Sequence, residues 1–205
     1  MARDRRSIVK MSRREGYALH PKAHKALVKR PTPPGQQSAN ARPSKPSQYA
    51  LQLREKQKVK RLYGLLEKQF ANMMKEATRR QGQTGENLLQ MLESRADNTI
   101  YRAGFAPSRR AARQLVTHGH FLLNDRRVDI PSIQMKPGDT LNFRPHSLNS
   151  DYFKRLDDTS PAPSTIPGWI KVNRKKGEVV VESVPTRDDA EQDINEQLIV
   201  EYYSR

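Results

Sequence analysis

The run Ser94-Arg95-Ala96-Asp97-Asn98-Thr99-Ile100-Tyr101-Arg102-Ala103-Gly104-Phe105-Ala106-Pro107-Ser108-Arg109-Arg110-Ala111-Ala112-Arg113-Gln114-Leu115-Val116-Thr117-His118-Gly119-His120 reads as two short helices in succession. Ser94 to Asp97 has the spacing of a capping box, with Asp97 in the place of Glu or Gln. It opens a helix that carries Ile100 and Ala103, and Gly104 stops it. Pro107-Ser108 starts the next helix, Arg109 to His118, and Gly119 lies just past its end. At the helical period, Ala111, Ala112, Leu115 and Val116 share an arc of about 140°. Arg110, Arg113, Gln114, Thr117 and His118 take the rest, with Arg109 on the boundary. A solvated face normally mixes acids among its bases. No acidic residue occurs between Ser108 and His120, so the face reads as one that meets nucleic acid.

Downstream, His120–Leu123 and Arg126–Ile130 read as strands around Asn124-Asp125. A two-residue turn needs positive φ, which Asn and Asp tolerate better than other side-chain-bearing residues. The turn sends Arg126 and Arg127 outward beside the basic helix. Pro137-Gly138-Asp139 makes a second turn into Thr140–Arg144, where Leu141 and Phe143 alternate inward. Residues 94–147 are thus expected to form a module of two helices on a short twisted sheet, with guanidinium groups suited to forked phosphate binding. Residues 148–168 read as a linker. Residues 169–205 read as a hairpin, Trp169–Val172 and Glu178–Val181 about Lys175-Lys176-Gly177, then a short helix near Ile194–Val200. Trp169 reads as core rather than as a stacking platform for a base.

Upstream, residues 47–93 read as helical. Ser47 caps a helix through Tyr63, on which Leu51, Arg54, Lys58 and Arg61 follow three- and four-residue spacing and make a basic stripe. A second helix runs from Leu65 to about Arg80, and a third begins at Glu86. Residues 1–46 hold Pro21, Pro31, Pro33, Pro34, Pro43 and Pro46, and are expected to be an irregular basic arm ordered by a partner.

The 205 residues carry a net charge of +16 and a sequence pI near 10.3. The excess is uneven: residues 1–65 hold 17 basic and 3 acidic side chains, whereas residues 148–205 hold 8 and 11. Such charge fits a polyanion, because binding phosphates releases condensed counterions. No apolar run reaches the roughly 20 residues of a membrane-spanning helix, so no membrane partner is expected. Met1-Ala2-Arg3-Asp4-Arg5-Arg6 lacks the apolar core of a secretory signal, which points to the cytosol. With no cysteine, thiol catalysis, disulfides and cysteine-ligated zinc are excluded. His20 and His24 flank Pro21 without a nearby third ligand, so no metal is expected; no phosphate-binding loop or dinucleotide fingerprint occurs, so no cofactor is expected either.

Arg95-Ala-Asp97-Asn98, Tyr101-Arg102-Ala-Gly104-Phe105-Ala106, Ser108-Arg109, Ala112-Arg113-Gln114-Leu115-Val116, His118-Gly119-His120 and Val128-Asp129-Ile130-Pro131-Ser132 resemble the small RNA-binding domain first described in small-subunit ribosomal protein four. The resemblance extends outward in order. Ser12-Arg13-Arg14-Glu15-Gly16, Pro34-Gly35-Gln36, Gln52 through Arg61 with Tyr63-Gly64, Leu66–Phe70, Gly82-x-Thr84-Gly85-Glu86-Asn87-Leu88-Leu89 and Ile194–Ser204 are similar to that family too. The chain has no cysteines for zinc in the arm, as in the zinc-free branch, and has Asn124-Asp125 where the family commonly has Asn-Gly.

The resemblance implies an α+β protein: a basic irregular arm, a mainly helical domain closed by residues 169–205, and the module 94–147 inserted into it. It implies a structural, non-enzymatic ribosomal protein of the cytoplasm. Such a protein binds the 5′ domain of small-subunit rRNA, nucleates assembly of the subunit body, neighbours ribosomal proteins five and three, and influences translational accuracy near the mRNA entrance channel. The expected RNA contacts are Arg13, Arg14, Arg54, Lys58, Arg61, Arg109, Arg110, Arg113, Gln114, His118, His120, Arg126 and Arg127, with Arg42 and Lys45 toward mRNA. Two alternatives stand beside this reading. An RNA-modifying enzyme that bears the module as an accessory needs a separate catalytic domain, and 58 residues after position 147 are too few for one. A repressor of its own message would use the same surface.

Overall fold

A computed structural model describes residues 4, 6–35, 45–163 and 165–204. The chain forms two compact units: residues 86–192, and residues 2–85 together with 193–205. The mixture of helices with one antiparallel sheet makes the fold α+β.

In the helical unit, the arm is more regular than its prolines suggest. α1 (Ile8–Glu15) and α2 (Pro21–Lys29) stand where irregular backbone is expected. Two local causes are visible. Pro21 sits in the first turn, where its missing N–H costs nothing, and the His20 ring accepts from Lys22 N at 3.0 Å as the cap. Gly16, at φ 64°, closes α1 in the left-handed region. α3 (Gln48–Leu62) is capped by Ser47, whose hydroxyl accepts from Ala50 N at 3.2 Å. α4 (Glu67–Arg79) follows, with Phe70, Met74 and Ala77 buried on one side. α5 (Thr84–Glu93) starts two residues before its expected beginning and spans the boundary between the units. The unit closes with the last helix of the chain (Glu196–Tyr203), which packs along α3, while α1 packs against α2 and α3.

The other unit continues with α6 (Ala96–Arg102) and α7 (Arg109–Thr117). Next come β1 (Phe121–Leu123), β2 (Arg126–Val128) and β3 (Thr140–Phe143), then three single-turn helices, α8 (Pro145–Leu148), α9 (Asp151–Lys154) and α10 (Leu156–Thr159). β4 (Ile170–Asn173) and β5 (Glu178–Val181) follow, and the chain-terminal helix is α11. Asn124 and Asp125 both take positive φ, 48° and 65°, so the turn they make works without glycine.

The expected capping box at Ser94–Asp97 does not form: the cap position is Arg95, with no side-chain cap bond. The free N–H groups of Ala96 and Asp97 are instead taken by the carbonyls of Ile133 and Pro131, at 2.9 and 3.2 Å. That releases the Asp97 carboxylate for ion pairing.

The hairpin 169–181 corrects the expected domain layout. The sheet order is β2-β1-β3-β5-β4, and β5 pairs with β3, placing Leu141 opposite Val179. Trp169, Ile170, Val179 and Val181 share one core with Ile100, Phe105, Phe121, Leu141 and Phe143. Phe153 and Leu156, in the expected linker, enter the same core. Residues 148–181 are therefore part of the module's unit, and only the end of the chain returns to the helices. The physical cause is an apolar edge. Strand β3 pairs with β1 on one side, and without the hairpin its other edge would be left unpaired; Gly177, at φ 67°, lets the hairpin turn lie under Phe143, since a Cβ there would meet that ring at 2.0 Å.

Candidate nucleic-acid interface

The expected contact residues fall into two groups, those engaged with the protein itself and those facing solvent. On α7, Ser108 caps the helix by accepting from Ala111 N at 3.2 Å, while Ala112, Leu115 and Val116 are buried. Arg109 and Arg113 then turn inward. Arg113 Nη1 lies 3.2 Å from Asp97 Oδ2, and the Arg95 guanidinium grips both Asp97 oxygens at 3.0 and 2.8 Å. Burial pushes the Arg113 pKa down, against the opposing pull of Asp97. Arg109 Nε donates to Asn98 Oδ1 at 2.9 Å, Nη2 lies 3.3 Å from Glu191, and its guanidinium sits over the Tyr101 ring at 4.6 Å. Asn98 in turn donates to the Glu93 carboxylate at 2.7 Å, and Arg102 binds both oxygens of the buried Glu93 at 3.0 and 2.8 Å. Residues 91–100 are buried without a break. Arg109 and Arg113 are parts of this buried polar network.

Arg110, Gln114 and His118 remain on the exposed side of α7. Arg126 and Arg127 are exposed on β2. Arg127 lies against the end of α7, because a Cβ on Gly119 would meet its Nε at 2.5 Å. The structure thus joins the outer face of α7 to the β1–β2 hairpin. His120 is half-buried: Nδ1 lies 3.0 Å from Ser147 Oγ, and its ring packs edge-on to Phe153. Burial, followed by His118 and Arg144, lowers its pKa, so it is neutral at neutral pH.

The helical unit divides in the same way. The Glu15 side chain is fully buried, and its Oε1 accepts from both Arg61 Nη1 and, at 3.3 Å, Arg54 Nη1. Burial pushes the Glu15 carboxyl up and the Arg61 guanidinium down. Lys58 Nζ donates to the Asp193 carbonyl at 2.6 Å and pairs with Glu55 at 2.8 Å. Arg13 Nε donates to the Thr32 carbonyl at 3.0 Å. Arg14 is exposed, Arg54 retains 43% side-chain exposure and Lys45 is exposed. Arg42 lies outside the described residues.

Sequence reading missed the acidic partners: Glu15, Glu93, Asp97 and Glu191. The available signal was their number. A buried arginine needs a counter-charge, but Glu15 is 39 and 46 residues from Arg54 and Arg61, and Glu191 is 82 from Arg109, so no local spacing marks which acid supplies it.

Arg110, His118, Arg126 and Arg127 thus give this unit an exposed basic surface. Residues 3–93 match the family model of the ribosomal protein S4/S9 N-terminal domain, and residues 94–141 match that of the S4 domain. The pair defines the class as ribosomal and non-enzymatic. Proteins named small ribosomal subunit protein uS4 are similar from end to end. That of Pelodictyon phaeoclathratiforme is 53% identical over 206 residues, that of Chlorobaculum tepidum 52% over 206, and that of Chloroherpeton thalassium 51% over 205. Each alignment covers 100% of both chains. The chain belongs to the small ribosomal subunit protein uS4 family.

Proposed function

We propose that this chain is a structural constituent of the small subunit of the cytoplasmic ribosome and a primary rRNA-binding protein. It recognises the 5′ domain of small-subunit rRNA, nucleates the subunit body, and contributes to accuracy beside the mRNA entrance channel, with ribosomal proteins five and three as neighbours. The supporting observation is the exposed surface of Arg110, Gln114, His118, Arg126 and Arg127, mounted on a buried ion network that holds α7 in place. Helix and hairpin present two guanidinium-bearing elements side by side, which suits the phosphates of a folded RNA rather than a base sequence. Arg14, Arg54 and the arm extend the basic surface in the helical unit, with Arg42 and Lys45 toward mRNA. Arg13, Lys58, Arg109, Arg113 and His120 act by holding these surfaces rather than by reaching out from them, and Arg61 stands beside Arg54 on Glu15.

The test is a filter-binding titration against a 5′-domain transcript over a range of KCl. Each lost phosphate contact lowers the slope of log K against log salt by about one. Arg126→Ala with Arg127→Ala is expected to reduce the slope by about two and affinity at moderate salt by at least tenfold. An unchanged slope removes the hairpin from the interface. Failure of the native chain to bind the transcript overturns the reading.

A further inference from the structure

Glu15 occupies a costly position. It ends α1, where the helix dipole disfavours a negative charge. Its side chain is 0% exposed, and Oε2 has no hydrogen-bond partner among the described residues. Such a carboxylate is expensive to bury unless its charge is compensated. The compensation is an excess of cations. Arg54 and Arg61 both donate to Oε1, and Arg14 also acts on the carboxylate electrostatically. Arg6, Arg14 and Arg54 all act on the Arg61 guanidinium. Arg6 is itself paired with Asp4, so three guanidinium groups, those of Arg54, Arg61 and Arg14, bear on the one carboxylate of Glu15, an excess of positive charge over negative. Arg61 Nε is buried without a hydrogen-bond partner among the described residues, in a side chain only 7% exposed. By contrast, Arg54 still reaches solvent and Arg14 is exposed. Two guanidiniums on one carboxylate oxygen, one of them open to solvent beside exposed Arg14, leave positive charge for a second anion.

We propose that Glu15 is a positioning residue whose Oε1 holds the Arg54 and Arg61 guanidiniums together, and that the cluster so formed, with Arg14, is a site for one backbone phosphate of RNA. The inference rests on the RNA-binding reading above and assigns the role of an acid within it. A single oxygen shared by two guanidiniums sets their spacing. Without it, like charges would spread the side chains apart, and ordering them again would cost rotamer entropy when the phosphate arrives. Glu15 is thus expected to strengthen RNA binding although its own charge opposes it.

Two variants of the full chain separate charge from position. Glu15→Gln and Glu15→Ala raise the net charge equally. Gln keeps an acceptor at Oε1 and places its NH2 where Oε2 has no partner, whereas Ala removes the acceptor. Binding of the 5′-domain transcript is measured by filter titration over KCl, with thermal melts of each protein as the folding control. Glu15→Gln is expected to bind at least as tightly as the native chain. Glu15→Ala is expected to bind about tenfold more weakly than Glu15→Gln, with a salt slope lower by about one. Equal binding by the two variants overturns the proposal while leaving the wider reading intact; absence of native binding overturns both. Should Glu15→Ala melt below the assay temperature, Arg54→Gln decides: a slope lower by about one supports the site, and an unchanged slope overturns it.

Discussion

Asp97 and Glu15 are both buried carboxylates set among arginines, yet the two clusters are built differently. Asp97 has both oxygens engaged, Oδ1 by Arg95 Nε and Oδ2 by Arg95 Nη2 and Arg113 Nη1. Arg95 itself is 3% exposed. Glu15 uses one oxygen for two arginines and leaves the other without a hydrogen-bond partner among the described residues, and one of those arginines reaches solvent. Fork-to-fork pairing engages both Asp97 oxygens, and the cluster is closed to solvent on the Arg95 side. The Glu15 cluster is unsaturated. A satisfied buried network rigidifies the structure around it, and here it fixes α7 beneath its exposed face. An unsaturated cationic one retains affinity for a ligand.

The comparison is sharpest in stability. Asp97→Asn turns an acceptor into an NH2 group facing guanidinium donors, inside a site with no solvent to relieve it. A loss of about 3–5 kcal/mol in denaturant unfolding is expected, the cost of breaking a buried pair. A loss below about 1 kcal/mol would show that the cluster is not closed. Glu15→Gln is expected to cost about 1 kcal/mol or less, since its Oε1 bonds survive and the new NH2 meets no opposing donor. If Glu15→Gln proved as damaging as Asp97→Asn, the distinction between a closed and an open cluster would fail.

The same contrast explains what was legible in the sequence. Local signals were clear: the Ser47 and Ser108 caps, the apolar stripe of α7, the Asn124-Asp125 turn and the core place of Trp169 all follow from residue type and spacing. The two arm helices were hidden because α1 and α2 are short, and their order depends on a histidine cap and a glycine stop rather than on composition. The hairpin could be read, but its pairing with β3 is a contact across 37 residues from Leu141 to its partner and has no local mark. Basic faces were legible as well, but not which arginines they expose. Arg109 and Arg113 share α7 with Arg110, and only the position of Asp97, Asn98 and Glu191 decides that two of the three turn inward. Periodicity reports which way a side chain leaves its helix; the counter-charge that waits for it comes from another element.

A third acid, Glu67, carries the comparison into pH. Its oxygens accept from Lys56 at 2.6 Å and Lys60 at 2.7 Å, and it also accepts from Tyr203 OH at 3.1 Å. Burial opposes ionisation, but the two lysine hydrogen bonds prevail and bring its pKa from the ordinary 4.5 down to about 2. A lowered folded-state pKa stabilises the protein above the unfolded value, and that contribution is lost as pH falls from 4.5 toward 2. Glu15 has the opposite sign: its pKa is raised, so its contribution is greatest in acid and is lost as pH rises through the folded value. Melting series on the native chain, Glu67→Gln and Glu15→Gln should therefore diverge. The advantage of the native chain over Glu67→Gln shrinks on acidification, whereas its advantage over Glu15→Gln grows. Glu67 is half-exposed, so solvent screening keeps its effect below about 1 kcal/mol. Parallel curves for the two variants would mean that the guanidiniums around Glu15 outweigh its burial, and the difference in sign between the two acids would fail.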